Sequence, residues 1–358
     1  MKPTAIIRAE ISAISAYQVQ AASGFIKLDA MENPYPFPQS LPEMLQTRLL
    51  ARLSKVSMNR YPSTDAPELK AAIRQAMGIP DELDILLGNG SDEIIQLIAL
   101  ACAKPGAALL SVEPAFVMFK MIATFCQLRY IGVPLKSDFS IDAAAMTAAI
   151  ERDRPAVIFI ANPNNPTGNC FHREDLLRII TAAEKYHGLV VIDEAYFAFT
   201  EATCLHDIVN FSNAVLMRTA SKLGLAGLRL GMLIGHGDWL QEFAKLRLPY
   251  NINSMTQVAA AFAMEHYGEL LKQAALIRQE RNKLTSALTS IAGVEVFPSE
   301  ANFILIRVAD ADHSFNALLS RKILVKNTSK SHPLLANTLR LTVGTSIEND
   351  GMIAALKL

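Results

Sequence analysis

No stretch of this chain approaches the ~18 consecutive apolar residues of a membrane-spanning helix; a run such as "IIQLIALACA" stops at Lys104. Charge of one sign is not in excess either, since 34 basic side chains balance 34 acidic ones. That removes any bulk electrostatic reason to expect nucleic acid or an anionic membrane as partner. Only four cysteines occur, Cys102, Cys126, Cys170 and Cys204, far apart and without a C-x-x-C pair. A zinc ribbon and a dense disulfide framework are thereby disfavoured, and free thiols in a reducing compartment are expected. The seven histidines show no H-E-x-x-H spacing, so no metal is expected. The nucleotide fingerprints fail as well: Glu93 in "GNGSDE" and Leu240 in "GHGDWL" stand where a third glycine belongs, and no G-x-x-x-x-G-K is found. Arg8 and Glu10 interrupt the amino-terminal "MKPTAIIRAEISAIS", which argues against a secretory signal. There is no repeat and no low-complexity linker, and an additional DNA-binding domain is not expected. A cytoplasmic location is expected.

What remains is ample material for a core: 358 residues, 51% hydrophobic and 19% charged, enough for two unequal lobes. Short apolar runs at 108–112, 156–160, 189–193, 214–218 and 230–234 read as strands buried on both faces. Between them lies helical patterning such as "REDLLRIITAAEKYH" (173–187), with Glu174 and Asp175 near its start and Lys185 and His187 near its end, as the helix dipole favours. This alternation predicts an α/β fold with a mostly parallel sheet. Long helical patterning from about 255 to 288 then gives way to strand runs at 302–308, 323–327 and 339–343, the mark of a smaller α+β lobe.

The polar residues stand where the strands end. "AVIFI" runs into "ANPNNPTG", "LVVI" into "DEAY" and "AVLMR" into "TASK", which brings Asn165, Asp193 with Tyr196, and Lys222 to neighbouring strand ends. In open α/β sheets ligands collect beyond those ends. Upstream, "LLGNGSDEIIQLIAL" places a glycine-rich turn before a helix, and amides around Gly90, Ser91 and Asp92 suit an anion. Each feature alone has an ordinary reading: "NPNNPTG" as a turn, Asp193 as a cap, Lys222 as a solvated lysine, the glycines as a loop. Their joint occurrence in this order points to a site. Pyridoxal phosphate chemistry uses such a set, because the cofactor is carried as an imine on a lysine and needs an acid beside its pyridine nitrogen.

With "LDAMENPYP", "RYPSTDAPELKAAI", "GNGSDE", "NPNNPTG", "VIDEAY", "TASKLGLAGLRLG", "ANF" and "LRLTVGT" in this order, the chain resembles the fold-type I pyridoxal-phosphate enzymes and, within them, the histidinol-phosphate aminotransferase family. The resemblance implies a three-layer αβα large domain with a mostly parallel seven-stranded sheet and a smaller α+β domain. It divides the chain into residues 1–34, closing the site against the small domain, 35–270, binding the cofactor, and 271–358, the small domain. It implies transamination between L-histidinol phosphate and 2-oxoglutarate, giving imidazole acetol phosphate and L-glutamate in histidine biosynthesis. A broad or aromatic amino acid aminotransferase and a threonine-phosphate decarboxylase stay open beside it.

The same resemblance assigns roles. Lys222 would bear pyridoxal 5'-phosphate and shuttle a proton, Asp193 would keep the pyridine nitrogen protonated, and Asn165 and Tyr196 would hydrogen-bond the ring oxygen. Amides of Ser91 and Asp92 with Thr219, Ser221 and Arg229 would hold the phosphate. Tyr61 would reach in from the partner subunit of a homodimer. Arg340 would pair with a substrate carboxylate, Tyr17 would close over the substrate side chain, and Lys326 stands where many relatives place an arginine on the substrate phosphate. Phe116 stands where a tyrosine is common over the ring, and it keeps the stacking surface without the hydroxyl. Met31 stands where asparagine is frequent.

Overall fold

The computed structural model describes residues 5–16, 20–37, 39 and 41–357. Strands β1 (Ile26–Lys27), β2 (Asp84–Asn89), β3 (Ala108–Glu113), β4 (Arg129–Pro134), β5 (Val157–Ala161), β6 (Leu189–Asp193), β7 (Ala214–Thr219) and β8 (Leu230–Gly235) come first. A second group follows: β9 (Glu295–Val296), β10 (Phe303–Arg307), β11 (Ile323–Leu324), β12 (Lys326–Asn327) and β13 (Thr338–Thr342). Seven strands make the central sheet in the order β2-β8-β7-β6-β5-β3-β4. Every pairing from β7 to β4 is parallel, and only β8 runs against its neighbours.

Alternate residues of the middle strands feed two cores. Ile158, Ile160, Val190 and Ile192 belong to one, and Val157, Phe159, Leu189 and Val191 to the other. Burial of each such side chain contributes about 1.5–3 kcal/mol, and with both faces covered these positions are apolar, polar residues entering toward the carboxyl ends of β6 and β7. The helices Ser91–Cys102, Val117–Phe125 and Gly237–Ala244 cover one face through Ile95, Phe119 and Phe243. Those at Pro67–Met77, Ala143–Asp153 and Arg173–Glu184 cover the other through Ile73, Ile150 and Ile179. Three layers result.

Five of the seven central strands lie on the runs expected for them. The other two, β2 and β4, carry Asp84, Gly88 and Asn89, or Arg129, Gly132 and Pro134, within six residues each, and β4 is an edge strand with a half-exposed middle. The helix expected over 173–187 stops at Glu184, because His187 takes a left-handed φ of 58°. The patterning from 255 to 288 is two helices, Ser254–Glu265 and Tyr267–Thr289, broken at His266. Among the described residues no helix is long and apolar enough to cross a membrane.

In the carboxyl-terminal part, β12-β13-β10-β9 form a second sheet, antiparallel in every pairing. The run 323–327, expected as one strand, is shared between two sheets: β11 pairs in parallel with β1 of the amino-terminal segment, and β12 pairs with β13. The chain ahead of the large sheet is thus stitched to the small lobe.

Candidate active site

The carboxyl ends of the parallel strands open onto a cavity of about 250 Å³. At one end the turn from β2 enters the helix Ser91–Cys102 through Gly90, whose φ of 85° is one that L side chains avoid. Among the described residues no side chain caps this helix start, so its first amides are available to an anion. Gly231 of β8 packs against the same turn; a Cβ there would come within 2.6 Å of the Gly90 carbonyl carbon. Because β8 runs backwards, the residue before it lies at the same sheet end as the residues after β5, β6 and β7. That residue is Arg229, held at a left-handed φ of 49°, and its guanidinium lies 3.9 Å from Asp92 Oδ2. The sequence left Arg229 without an acidic neighbour; the fold supplies one. Burial pushes the Asp92 carboxyl up, with Arg229 opposing. Thr219 Oγ1 lies 3.0 Å from Ser221 Oγ, and Ser91, Thr219 and Ser221 all line the cavity.

Deeper in, Asp193 closes β6. Its Oδ1 accepts the Ala195 amide at 3.0 Å, and burial pushes its carboxyl up to about 7, against that hydrogen bond and with help from Asp92 and Glu194. Asn165 Nδ2 donates to Tyr196 Oη at 3.1 Å, and Asn165 Oδ1 accepts from Arg340 Nη1 at 2.5 Å. Arg340 Nη2 donates to the Asp29 carbonyl at 2.9 Å. Arg340 is buried on β13, so it ties the small lobe to both the amino-terminal segment and the asparagine after β5.

Lys222 lines the same cavity as Asp193. Its Nζ donates to the Ala30 carbonyl at 2.9 Å. Burial pushes its ammonium down to about 8, Arg340 adds to the shift, and Glu32 and Asp92 oppose it. An amine with that value is partly neutral near pH 7, as a nucleophile and proton carrier must be.

Residues 29–33, given no cofactor role in the sequence, border the site: Ala30, Met31 and Glu32 line the cavity, while Asp29 and Asn33 bond to Arg340 and to the stretch after Lys222. Beyond Asp29 and Ala30, the Met31 amide donates to Thr342 Oγ1 at 3.0 Å and its carbonyl accepts Asn302 Nδ2 at 2.9 Å. Asn33 Nδ2 donates to the carbonyl of Leu223, next to the lysine, at 3.2 Å. Met31 sits at a φ of 52°, a conformation asparagine, the residue the resemblance leads one to expect there, tolerates far better than methionine. Beneath the site, Arg218 Nη2 donates to Glu194 Oε2 at 2.8 Å, with both side chains buried. Glu194 also accepts from Thr203 Oγ1 and the Cys204 amide at 2.9 and 2.7 Å. Both stand beside site residues, but a charge inside an apolar-looking stretch shows its partner only once the strands are paired.

Of the remaining expected residues, Phe116 lines the cavity and meets Phe119 edge-on at 5.7 Å. Tyr61 does not line it: it is 80% exposed and stacks on Tyr250 at 4.4 Å. Lys326 is exposed on β12, directly opposite Arg340 of β13, so the two share a sheet face. Tyr17 lies outside the described residues.

Pyridoxal phosphate fits this donor set. A buried acid with one amide donor would face a cationic ring nitrogen, an uncapped helix start beside two hydroxyls and a guanidinium would face a phosphate, and a partly neutral amine lines the same cavity. The glycines at 90 and 231 leave the cradle without side chains.

Fold and site together suit pyridoxal-phosphate chemistry, and the chain belongs to the aminotransferases of class I and II, whose family model matches residues 23–356. More particularly, it is 51% identical over 356 residues to histidinol-phosphate aminotransferase 1 of Burkholderia lata, with 99% of this chain and 98% of that one covered. Two solved structures share the fold at lower identity. The histidinol-phosphate aminotransferase from Sinorhizobium meliloti, in complex with pyridoxal-5'-phosphate, superposes with a TM-score of 0.85 at 20% identity, covering 98% of this chain and 96% of that one. The L-threonine-O-3-phosphate decarboxylase from Porphyromonas gingivalis does so with a TM-score of 0.77 at 22% identity, covering 92% and 98%. The fold alone therefore leaves the reaction open between transfer and decarboxylation.

Proposed function

We propose that the protein is a histidinol-phosphate aminotransferase, which moves the amino group of L-histidinol phosphate to 2-oxoglutarate and yields imidazole acetol phosphate and L-glutamate. The observation that carries this reading is the convergence of Lys222 and Asp193 on one cavity in a chain half identical, end to end, to a protein of that name. When bound, pyridoxal 5'-phosphate supplies an electron sink for the carbon that bears the amino group.

The chain's own residues do the rest. Lys222 Nζ, partly neutral and lining the cavity, would take the proton of the amine-bearing carbon and return it. Asp193 favours the protonated ring nitrogen by charge, because an anion stabilises a neighbouring cation. Asn165 and Tyr196, already bonded to each other, would orient the ring through its oxygen. Ser91, Asp92, Thr219, Ser221 and Arg229 would hold the phosphate, with Phe116 against the ring. Arg340 would grip the carboxylate of glutamate or 2-oxoglutarate with its planar fork, and Lys326, on the same sheet face, would attract the phosphate of the other substrate. Tyr17 is assigned to closing the site over the substrate.

Tyr61, which does not line its own cavity, would complete that of a second subunit, which makes the working unit a homodimer. Residues 1–34 would move with the small lobe through β1 and β11, and the border at 270/271 falls in the first turn of the helix Tyr267–Thr289. The cytoplasm is the compartment we assign, on the strength of four free thiols.

The test is a set of reactions with the cofactor-loaded protein. Glutamate should accumulate from L-histidinol phosphate and 2-oxoglutarate at least tenfold faster than from aromatic amino acids. Carbon dioxide from O-phospho-L-threonine, without glutamate, would instead make it a decarboxylase.

A further inference from the structure

Among the described residues three acidic side chains line the cavity, and the chemistry above uses the carboxylate of one, Asp193, and the backbone amide of another, Asp92. Asp193 lies at its buried floor, and Asp92 stands beside Arg229 at the helix start. The third, Glu32, has no task in holding the cofactor. It sits on the wall formed by Ala30, Met31 and Glu32, two residues from the carbonyl that meets the Lys222 amine. The neighbouring Met31 backbone is pinned through both its amide and its carbonyl, so this wall is held at a fixed place relative to Lys222. Glu32 Oε2 accepts from Lys27 Nζ at 2.7 Å, and its Oε1 accepts no hydrogen bond among the described residues. Its charge also reaches the lysine, opposing the fall in that amine's pKa.

A donor whose amine-bearing carbon comes to Lys222 must lay one of its substituents along this wall. In L-histidinol phosphate the substituents are a phosphate, which the cations of the site attract, and an imidazole, whose ring N–H is a donor in search of an acceptor. We infer that Glu32 recognises the imidazole N–H through its carboxylate and is a specificity-determining residue for the amino donor. The inference rests on the functional reading above. The alternative is that Glu32 merely anchors Lys27; a pair that is 30% and 48% exposed contributes little as an anchor, and losing it would not separate one substrate from another.

The experiment compares L-histidinol phosphate with L-leucinol phosphate, which keeps the amine and phosphate and has no ring N–H, on the cofactor-loaded wild type and on Glu32→Gln and Glu32→Leu. For Glu32→Gln, kcat/KM toward L-histidinol phosphate should fall about tenfold, the loss expected of one charge-assisted hydrogen bond, and change less than about twofold toward L-leucinol phosphate. Glu32→Leu should lose about a hundredfold on the first and nothing on the second, since a site built around a polar group discriminates strongly by it. The absorbance of the bound cofactor should match wild type in both variants. Equal losses on both substrates, no loss on either, or loss of the bound cofactor would overturn the assignment, the last because Glu32 would then belong to the scaffold. A wild type that does not turn over L-histidinol phosphate overturns the functional reading and this inference together, whereas turnover without discrimination overturns this inference alone.

Discussion

Asp193 has to remain charged in a place that penalises charge. Its carboxyl, ordinarily near 3.8, is pushed up to about 7 by burial, so in the cofactor-free protein folding favours its protonated form. The sign follows from proton linkage: below 3.8 the group is protonated in both states and is neutral to stability, and as pH rises toward 7 the folded state is increasingly penalised. Removing the charge should therefore stabilise the empty protein. Asp193→Asn without cofactor should exceed wild type in urea by on the order of a few kcal/mol at about pH 8 and by clearly less at about pH 5, while losing most of its turnover when loaded. A stability gap that does not depend on pH would contradict the buried-charge account. The acid itself was legible, because it follows a strand. Its titration was not, since burial and the approach of Asp92 and Glu194 are properties of the folded chain. The same holds for Met31, whose left-handed backbone gives physical content to a departure that the sequence could only note.

At the level of elements, the ends of β6 and β7 carry Asp193 and the stretch from Thr219 to Lys222. The Glu194–Arg218 pair locks those ends together, with Arg218 also 4.4 Å above the Phe197 ring. Burying two charges gains little over well-packed apolar residues, but stranding one is expensive. Arg218→Leu should cost about 3–5 kcal/mol in urea unfolding, and Glu194→Leu combined with it should recover most of that loss. Additive losses in the double variant would show that the two act separately. Strands β5 to β8 were readable because two-sided burial makes a strand uniformly apolar. The edge strand β4 and the turn-bound β2 were not, because Gly132, Pro134 and Gly88 are breaker residues tolerated only by the pairing around them. The split of 323–327 between two sheets was equally invisible, for the run offers no break to mark it.

On the scale of the whole molecule, Tyr61 is conspicuous by its position. It does not line the cavity, and lies among exposed apolar side chains that include Met58 at 77% and Tyr250 at 42%, a surface suited to burial against a second copy. If each site borrows Tyr61 from the partner, two inactive variants should complement. Mixing Tyr61→Ala with Lys222→Ala after subunit exchange should place one intact site in each mixed dimer and restore about a quarter of wild-type turnover, given random pairing and two-fold symmetry. No recovery after verified exchange would put Tyr61 outside the partner's site.

Order along the chain was enough to announce a sheet with lysine, acid and amide at adjacent strand ends, because strand burial and strand termination are local properties, written in runs of a few residues. Folding was needed to bring Arg340 to Asn165, to lay residues 29–33 across Lys222, to give Arg229 its acidic neighbour and to leave Glu32 on the cavity wall. Those contacts join residues up to 311 positions apart. No local pattern encodes them, since each depends on which distant segments the folded chain brings side by side.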